Sequence, residues 1–418
     1  MHCLYTTGIR LYLLLIRLAA FFHPKAKLWW RGRQNWSQNL SRALASKRAP
    51  GQVTIWVHSA SLGEFEQGRP LMEAVKRQYP EVFILLTFFS PSGFEVRKNY
   101  PGADLVCYLP PDLPRTARQF LHIAQPQLAV FVKYEFWYNF LQELQREKIP
   151  VWLIAALFRP QQPFFQSWGA WYLNILKGFD HFFVQNQDSA DLLEKHGIQK
   201  YTLAGDPRID RVLQIAAEGK QFPSIEAFKK DAPILMAGST WAPDEAVLAQ
   251  LWEDPNRCAG WKLVIAPHEI EAAHLEQIEQ KFPGQCVRYS QFKLENHQNL
   301  TVMIIDNIGM LSALYRYADI AYIGGGFGSG IHNTLEPMAF GLPVIFGPKY
   351  QKFTEALTTL ELGGAFVVHT AEELINTFDQ LKSPAFKSTA SHAVQHYLQQ
   401  NQGATEKIIK RLELFLSS

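Results

Sequence analysis

Two successive open α/β sheets are the architecture this sequence predicts, and three observations predict it. Short β-branched and aromatic runs recur along residues 53–204 and again along 234–346, each separated from the next by a segment of helical spacing. The 418-residue length suits two domains of ordinary size, each able to bury its own core. Between the two sets lies Ala216 to Asp231, largely polar and followed by Pro233, which reads as a linker. Strands alternating with helices form parallel sheets with right-handed crossovers, so each half should be a doubly wound sheet.

The first set opens with Val53 to His58, a turn over Ser59 to Gly63 and a helix through Arg77. Val82 to Thr87, Leu105 to Tyr108, Leu128 to Val132, Val151 to Ala155, His181 to Gln185 and Tyr201 to Ala204 follow at similar intervals. The second set is Ile234 to Ala237, Lys262 to Ala266, Val302 to Ile305, Ile320 to Ile323 and Val344 to Phe346. The pattern divides the chain into an N-terminal segment (1–40), a first domain (41–215), a second domain (216–400) and a C-terminal helix (401–418).

With 47% hydrophobic and 19% charged residues the chain is globular, not disordered. Net charge is only +3, but nine Lys or Arg precede the first acidic residue, Glu64, and the remainder is net acidic. A basic end of this kind suits nucleic acid or an anionic membrane surface. Its neighbours favour membrane: Ile9 to Phe22 is an apolar run broken by Arg10 and Arg17, and Trp29, Trp30 and Trp36 are interleaved with Lys25, Lys27, Arg31 and Arg33. A cleaved leader would need small residues where Phe21-Phe22-His23-Pro24 stands, and a spanning helix needs about 20 apolar residues. An interfacial helix with snorkelling arginines and headgroup-level tryptophans fits better, with a short span or a helix packed on the protein's own body as alternatives. The four cysteines, scattered without CxxC spacing, indicate neither a zinc site nor a disulfide framework.

Ligands of open parallel sheets collect beyond the carboxyl ends of the strands, so the loops there are the candidate sites. The richest runs from Gly324 to Gly330 and leads into a helix expected to open near His332-Asn333 and to carry Glu336, a natural anion cradle. Starting from Gly326 and Gly328, the third glycine of a dinucleotide fingerprint falls on Ile331, and no Walker lysine follows. Glu64 follows His58 to Gly63, in a first helical turn, as a capping acid or a reactive one. Glu135 follows the apolar run Ala129 to Val132 and has aromatic neighbours, like a pocket wall. Arg208 could reach a phosphate or carboxylate with its planar fork. Gly238-Ser239 and Pro267-His268 end strands of the second sheet. No DxD-type pair offers a divalent-metal ligand set, so no metal and no cofactor is expected, and charge on a leaving phosphate would be met by N–H groups, arginine and histidine.

In this order the motifs resemble the 3-deoxy-D-manno-octulosonic acid (Kdo) transferases of lipopolysaccharide assembly, over nearly the whole chain. The resemblance rests on Trp56 to Glu64 (W.H..S.GE), Glu135 to Asn139, Asn186 and Asp188, GSTW..DE from Gly238, Pro267-His268, Asp306 to Leu311, the HN..E core within Gly325 to Glu336, and Asn401 to Ala404. It implies a GT-B glycosyltransferase of two Rossmann-like domains with an N-terminal membrane-associating helix. CMP-Kdo would be the donor and a lipid A precursor (lipid IVA) the acceptor, with inner-membrane lipids and no nucleic acid as partners, on the cytoplasmic face of the inner membrane of a Gram-negative-type bacterium. By the same resemblance Glu64 is the general base, and Glu135 and Arg208 stabilise the transition state. Gly238, Ser239, Pro267, His268, Ile308, Gly309, Met310, Asn333, Thr334, Leu335 and Glu336 would contact the nucleotide, with the helix N-terminus at Asn333 facing the phosphate. The chain departs from the pattern at His268, where relatives carry arginine, at Arg208, usually lysine, and at Tyr138, where a proline is lost. Another GT-B transferase or an epimerase using a UDP-sugar, and a non-catalytic membrane-associated binding protein, are the alternatives.

Overall fold

The structure, a computed structural model, describes residues 2–293 and 300–417; Met1 and Ser418, ends of the expected first and last segments, lie outside them. The chain forms two compact units, Met1–Asp210 with Gln402–Ser418, and Arg211–Asn401.

Unit 1 begins with three helices, α1 (His2–Ala19), α2 (Pro24–Arg31) and α3 (Trp36–Lys47). Its sheet has seven strands: β1 (Thr54–Ser59), β2 (Phe83–Phe88), β3 (Leu105–Tyr108), β4 (Leu128–Val132), β5 (Val151–Ala156), β6 (His181–Val184) and β7 (Tyr201–Leu203). All neighbours pair in parallel in the order β3-β2-β1-β4-β5-β6-β7. The order reverses direction between β1 and β4, and that switch point is where a crevice opens in a doubly wound sheet. Alternation assigns the two faces: Trp56, Leu85 and Phe131 enter one core, whereas Val57, Leu86 and Val130 enter the other. Trp56, fully buried, anchors the first through rings of Phe120, Phe131 and Phe140 at 4.8, 5.1 and 5.5 Å.

The second face is closed by α4 (Leu62–Gln78) and by the last helix, Ala404–Leu416, whose Ala404, Ile408, Ile409 and Leu412 join Ile55 and Val57. Asp210 caps that helix, its carboxylate accepting from Gly403 N and Thr405 N at 2.6 Å each. The C-terminal helix is thus part of unit 1.

Unit 2 holds β8 (Ile234–Thr240), β9 (Lys262–Pro267), β10 (Cys286–Arg288), β11 (Val302–Ile304), β12 (Ile320–Ile323), β13 (Val344–Phe346) and β14 (Ala365–Val367). They form a second parallel sheet, β10-β11-β9-β8-β12-β13-β14, with its switch point between β8 and β12. The edge strands β10 and β14 are absent from the strands expected from sequence: each has three residues, most of them half-buried, too little for a periodic signal. Residues 216–231, expected as a linker, instead hold the end of the helix Pro207–Ala217 and all of Pro223–Lys229, because their polarity belongs to exposed helix faces.

Among the described residues no helix is long and apolar enough to cross a membrane. α1 turns Tyr5 and Thr6 to the body of unit 1 and leaves Leu4, Leu11, Leu14, Leu15 and Leu18 more than half exposed, followed by Phe21 and Phe22 at 77% and 91%. Packing against the body and an exposed apolar face coexist in the one helix.

His181 on β6 is buried, and burial first, then the nearby Arg411, push its imidazole down to about 4 from the usual 6.5. A depressed histidine favours the fold while it is neutral in both states. As pH falls below 6.5 the unfolded chain takes up a proton that the folded chain refuses, and stability is lost towards pH 4. Thermal melts between these values should fall less steeply for His181→Gln than for the natural chain; parallel slopes would show that His181 is not the group responsible.

Candidate active site

In unit 1 the candidate residues cluster beyond the switch point. β1 runs out at Ser59, and Ser61 caps α4 with Glu64 at its third position. Glu64 Oε2 accepts from Ser61 N at 2.8 Å and from Ser61 Oγ at 3.1 Å, a reciprocal capping box that fixes the carboxylate on a rigid helix end. Both bonds use one oxygen, so the other is free to take a proton. Burial, and next the charge of Glu135, raise the Glu64 carboxyl above its ordinary 4.5, against the two Ser61 bonds and His58. A carboxylate made more basic this way is suited to proton abstraction.

Glu135 follows β4 and is 6% exposed. Its Oε2 accepts from Trp137 Nε1 at 2.5 Å and lies 3.1 Å from Nε2 of His58, a fully buried residue of β1. His58 Nδ1 in turn meets Thr87 Oγ1 of β2 at 2.8 Å, and that oxygen accepts from Trp56 Nε1 at 2.8 Å. The network closes when His58 Nε2 donates to Glu135 and the Thr87 hydroxyl donates to Nδ1. Two adjacent strands and the loop beyond a third therefore bring Thr87, His58 and Glu135 together, with His58 directly opposite Thr87 in register. Arg208 lies beyond β7, at the far edge of the sheet, where its Nε and Nη2 reach Asp206 Oδ2 at 2.9 and 2.6 Å.

Unit 2 carries its candidates at or beyond the carboxyl ends of β8, β9, β11 and β12. Gly238 has no room for a side chain, since a Cβ would lie 2.0 Å from the Tyr315 hydroxyl, and Ser239 adopts φ +53° where the register with β9 shifts. A Cβ on Gly324 would lie 2.3 Å from Ser239 O, so the glycine-rich loop passes against the backbone of β8. Asp244, 1% exposed, ties the two: Oδ2 accepts from Trp241 N and Gly325 N at 2.9 Å each, and Oδ1 from the Tyr322 hydroxyl at 2.8 Å. Burial raises this carboxyl against all three bonds. Glu245, fully buried, holds Thr240 Oγ1 at 3.1 Å and His274 Nε2 at 3.0 Å.

Pro267 ends β9, and the His268 ring packs against both Trp241 and His332, with centroids at 4.7 and 4.4 Å and planes within 27°, while Trp241 and His332 themselves lie 6.5 Å apart. Trp241 Nε1 donates to His332 Nε2 at 3.1 Å, so in the neutral ring Nδ1 carries the proton; burial and then His268 lower the His332 value. Asn333 Oδ1 accepts from Leu335 N and Asn333 Nδ2 donates to Glu336 Oε1, both at 3.1 Å. Ile308 is 85% exposed on the turn with Gly309 (φ +88°) and Met310 that leads into Leu311–Leu314. The helix expected to open at His332-Asn333 begins only at Leu335 and ends at Met338, because the Asn333 side chain closes a turn first; Thr334, buried, is its N-cap.

A family model described as 3-Deoxy-D-manno-octulosonic-acid transferase (kdotransferase) matches residues 34–211. The 3-deoxy-D-manno-octulosonic acid transferase of Aquifex aeolicus is 30% identical over 336 residues, 79% of this chain and 86% of that protein. The chain belongs to the Kdo transferase family. A further family member, from Haemophilus influenzae, is 28% identical over 381 residues, 88% of each protein. Among solved structures, the UDP-GlcNAc 2-epimerase of Neisseria meningitidis aligns over 86% of this chain and 99% of its own with a TM-score of 0.59 at 14% identity, a likeness of fold alone. The architecture is that of the GT-B class, two Rossmann-like domains.

Sequence reasoning for this Kdo transferase family member did not single out the roles of His58, Trp241, Asp244 or His332. A polar residue adjoining an apolar strand was the available signal for His58 and Asp244, but their partners lie far away in sequence: Glu135 is 77 residues from His58 and Gly325 is 81 from Asp244. Asp244→Ala would strand the buried Gly325 N–H, the buried Tyr322 hydroxyl and the partly buried Trp241 N–H. It should cost about 3–5 kcal/mol in denaturant unfolding, and a loss below 1 kcal/mol, roughly that of one ordinary bond, would show that the loop is held otherwise.

Proposed function

We propose that this chain is an inverting glycosyltransferase that moves Kdo from CMP-Kdo to a lipid A precursor, lipid IVA, in lipopolysaccharide core biosynthesis. The observation that carries the reading is the half-buried Glu64, fixed by its capping box and made more basic by burial and by Glu135, in a chain of the Kdo transferase family. Glu64 takes the proton of a glucosamine 6-hydroxyl as that oxygen forms its bond to the Kdo anomeric carbon. The bond from that carbon to the phosphate oxygen breaks on the opposite side, CMP leaves with the electron pair, and the configuration inverts. Glu135, held by His58 and Trp137, and Arg208, oriented by Asp206, stabilise the charge that develops on the sugar and the leaving group. Donor contacts fall to Gly238, Ser239, Pro267, His268, Ile308 to Met310 and Asn333 to Glu336, with the N–H groups of the glycine-rich turn meeting the phosphate. His268, with the neutral His332 beside it, stands where relatives carry a permanent charge.

The enzyme works on the cytoplasmic face of the inner membrane. Support comes from α1 and α2, whose exposed Leu11, Leu15, Leu18, Phe21 and Phe22 are flanked by Arg10, Arg17, Lys25, Lys27 and Arg31 without one acidic residue. Replacing Leu11, Leu15 and Leu18 together by Glu should reduce flotation with anionic vesicles at least about tenfold; undiminished flotation would place the membrane contact elsewhere.

The deciding experiment measures CMP release by detergent-solubilised protein given freshly generated CMP-Kdo, with and without a tetraacylated lipid A precursor. Release should need the acceptor, and Glu64→Gln, which still fits the capping box, should lower kcat by about 10²–10⁴ without unfolding the protein. Release with UDP-sugars but not CMP-Kdo would overturn the donor and leave the fold standing. The pH profile adds a second check. Because the base acts ionised, the rate should fall as pH drops through the raised Glu64 value, and Glu135→Gln, which removes one cause of the rise, should move that acid limb to lower pH. An unmoved limb would mean that another group sets it.

A further inference from the structure

α1 has two faces with different tasks. Tyr5 and Tyr12, seven residues apart, share the face that meets the body of unit 1. The Tyr5 hydroxyl donates to Asp112 Oδ2 at 2.6 Å, and its ring packs at 5.5 Å on Tyr138 and 6.1 Å on Trp171. Asp112, 2% exposed, accepts from Asn139 N at 3.2 Å and Phe140 N at 3.0 Å, and its carbonyl accepts from Asn139 Nδ2 at 2.7 Å. It thereby binds the first turn of the helix Tyr138–Arg146, which directly follows the loop of Glu135. Two turns further along α1, Tyr12 stacks on Phe89 at 6.4 Å, and Phe89 packs on Trp137 at 4.6 Å. Trp137 is the residue whose indole N–H donates to Glu135.

The loop so held is not one the backbone adopts readily. Lys133, at its start, has φ +67°, a left-handed conformation that costs a residue with a side chain about 1–2 kcal/mol. Such a conformation persists where surrounding contacts over-determine it. Here the contacts at the far end of the loop reach back, through Asp112 and Phe89, to α1. Glu135 also adds, after burial and Asp112, to the forces that keep the Tyr5 hydroxyl protonated.

We infer that Tyr5 and Tyr12 are positioning residues: through Asp112 and through Phe89 with Trp137, the inner face of the N-terminal helix sets the loop that carries Glu135. The inference rests on the role of Glu135 proposed above, and it gives α1 a task separate from seating the protein on lipid. A helix that served only as an anchor would leave turnover of a detergent-dispersed acceptor indifferent to its inner face.

The test uses the full-length protein in detergent, with Tyr5→Phe, which keeps the ring and removes one O–H, and Asp112→Asn as a second variant. Hydrogen exchange of peptides spanning 133–142 is read beside kcat, donor KM and vesicle flotation. Loss of one buried hydrogen bond should speed exchange at Asn139 and Phe140 and lower kcat by about 3–10-fold in Tyr5→Phe, and by more in Asp112→Asn, with donor KM and flotation unchanged. Wild-type exchange in both variants overturns the inference, as does faster exchange with undiminished kcat. If the natural chain shows no Kdo transfer at all, the reading of function fails, and the exchange measurement alone still decides whether α1 holds the loop.

Discussion

A parallel sheet covered by helices on both faces has no place for a charge along its strands; polar chemistry must emerge past their carboxyl ends or be paired inside. Both units obey this constraint in the same way. In unit 1 Thr87 of β2, His58 of β1 and Glu135, just past β4, are linked by hydrogen bonds across the central strands, and Glu64 opens the neighbouring helix. In unit 2 Asp244 and Glu245, among the most buried carboxyls of the chain, are spent on backbone N–H groups, a tyrosine, a threonine and a histidine. In unit 2 the glycine-rich loop is therefore shaped by an acid, Asp244, whose bonds are spent inside the protein.

Much of this was legible in the chain. Leu105–Tyr108, Leu128–Val132, Ile320–Ile323 and Val344–Phe346 are strands with the bounds their sequence suggests, because buried parallel strands are short apolar runs with polar ends. What escaped were features that depend on distant partners or on too few residues: the edge strands β10 and β14, the return of the last helix to the first sheet, and the delayed start of the helix at Leu335. The same division holds at the site. Glu64 and Glu135 could be singled out because each follows an apolar strand, whereas His58 reads as one more strand residue until Glu135 and Thr87 are seen on either side of it.

His268 has a local physical setting. His268 is one corner of a cluster of three rings with Trp241 and His332, an arrangement in which flat rings support one another and a flexible cation would not pack equivalently. Trp241 anchors that cluster through its bond to His332, and Asp244 holds Trp241 at its backbone. His268 is thus embedded in its neighbours, so placing arginine at this one position would disturb more than one contact.

The closing of unit 1 by residues far along the chain has a consequence for how the molecule is made. Asp210 and Gly403 are 193 residues apart, and the helix that Asp210 caps covers one face of the first sheet. During synthesis, α1 to β7 emerge with that face covered by α4 alone, and the whole of unit 2 can fold before the rest of the cover arrives. Unit 2 is in this sense an insertion, placed between the last strand of the first sheet and the helix that completes its core. An N-terminal helix with an exposed apolar face and a half-covered sheet face then coexist on the nascent chain until residues 404–416 arrive.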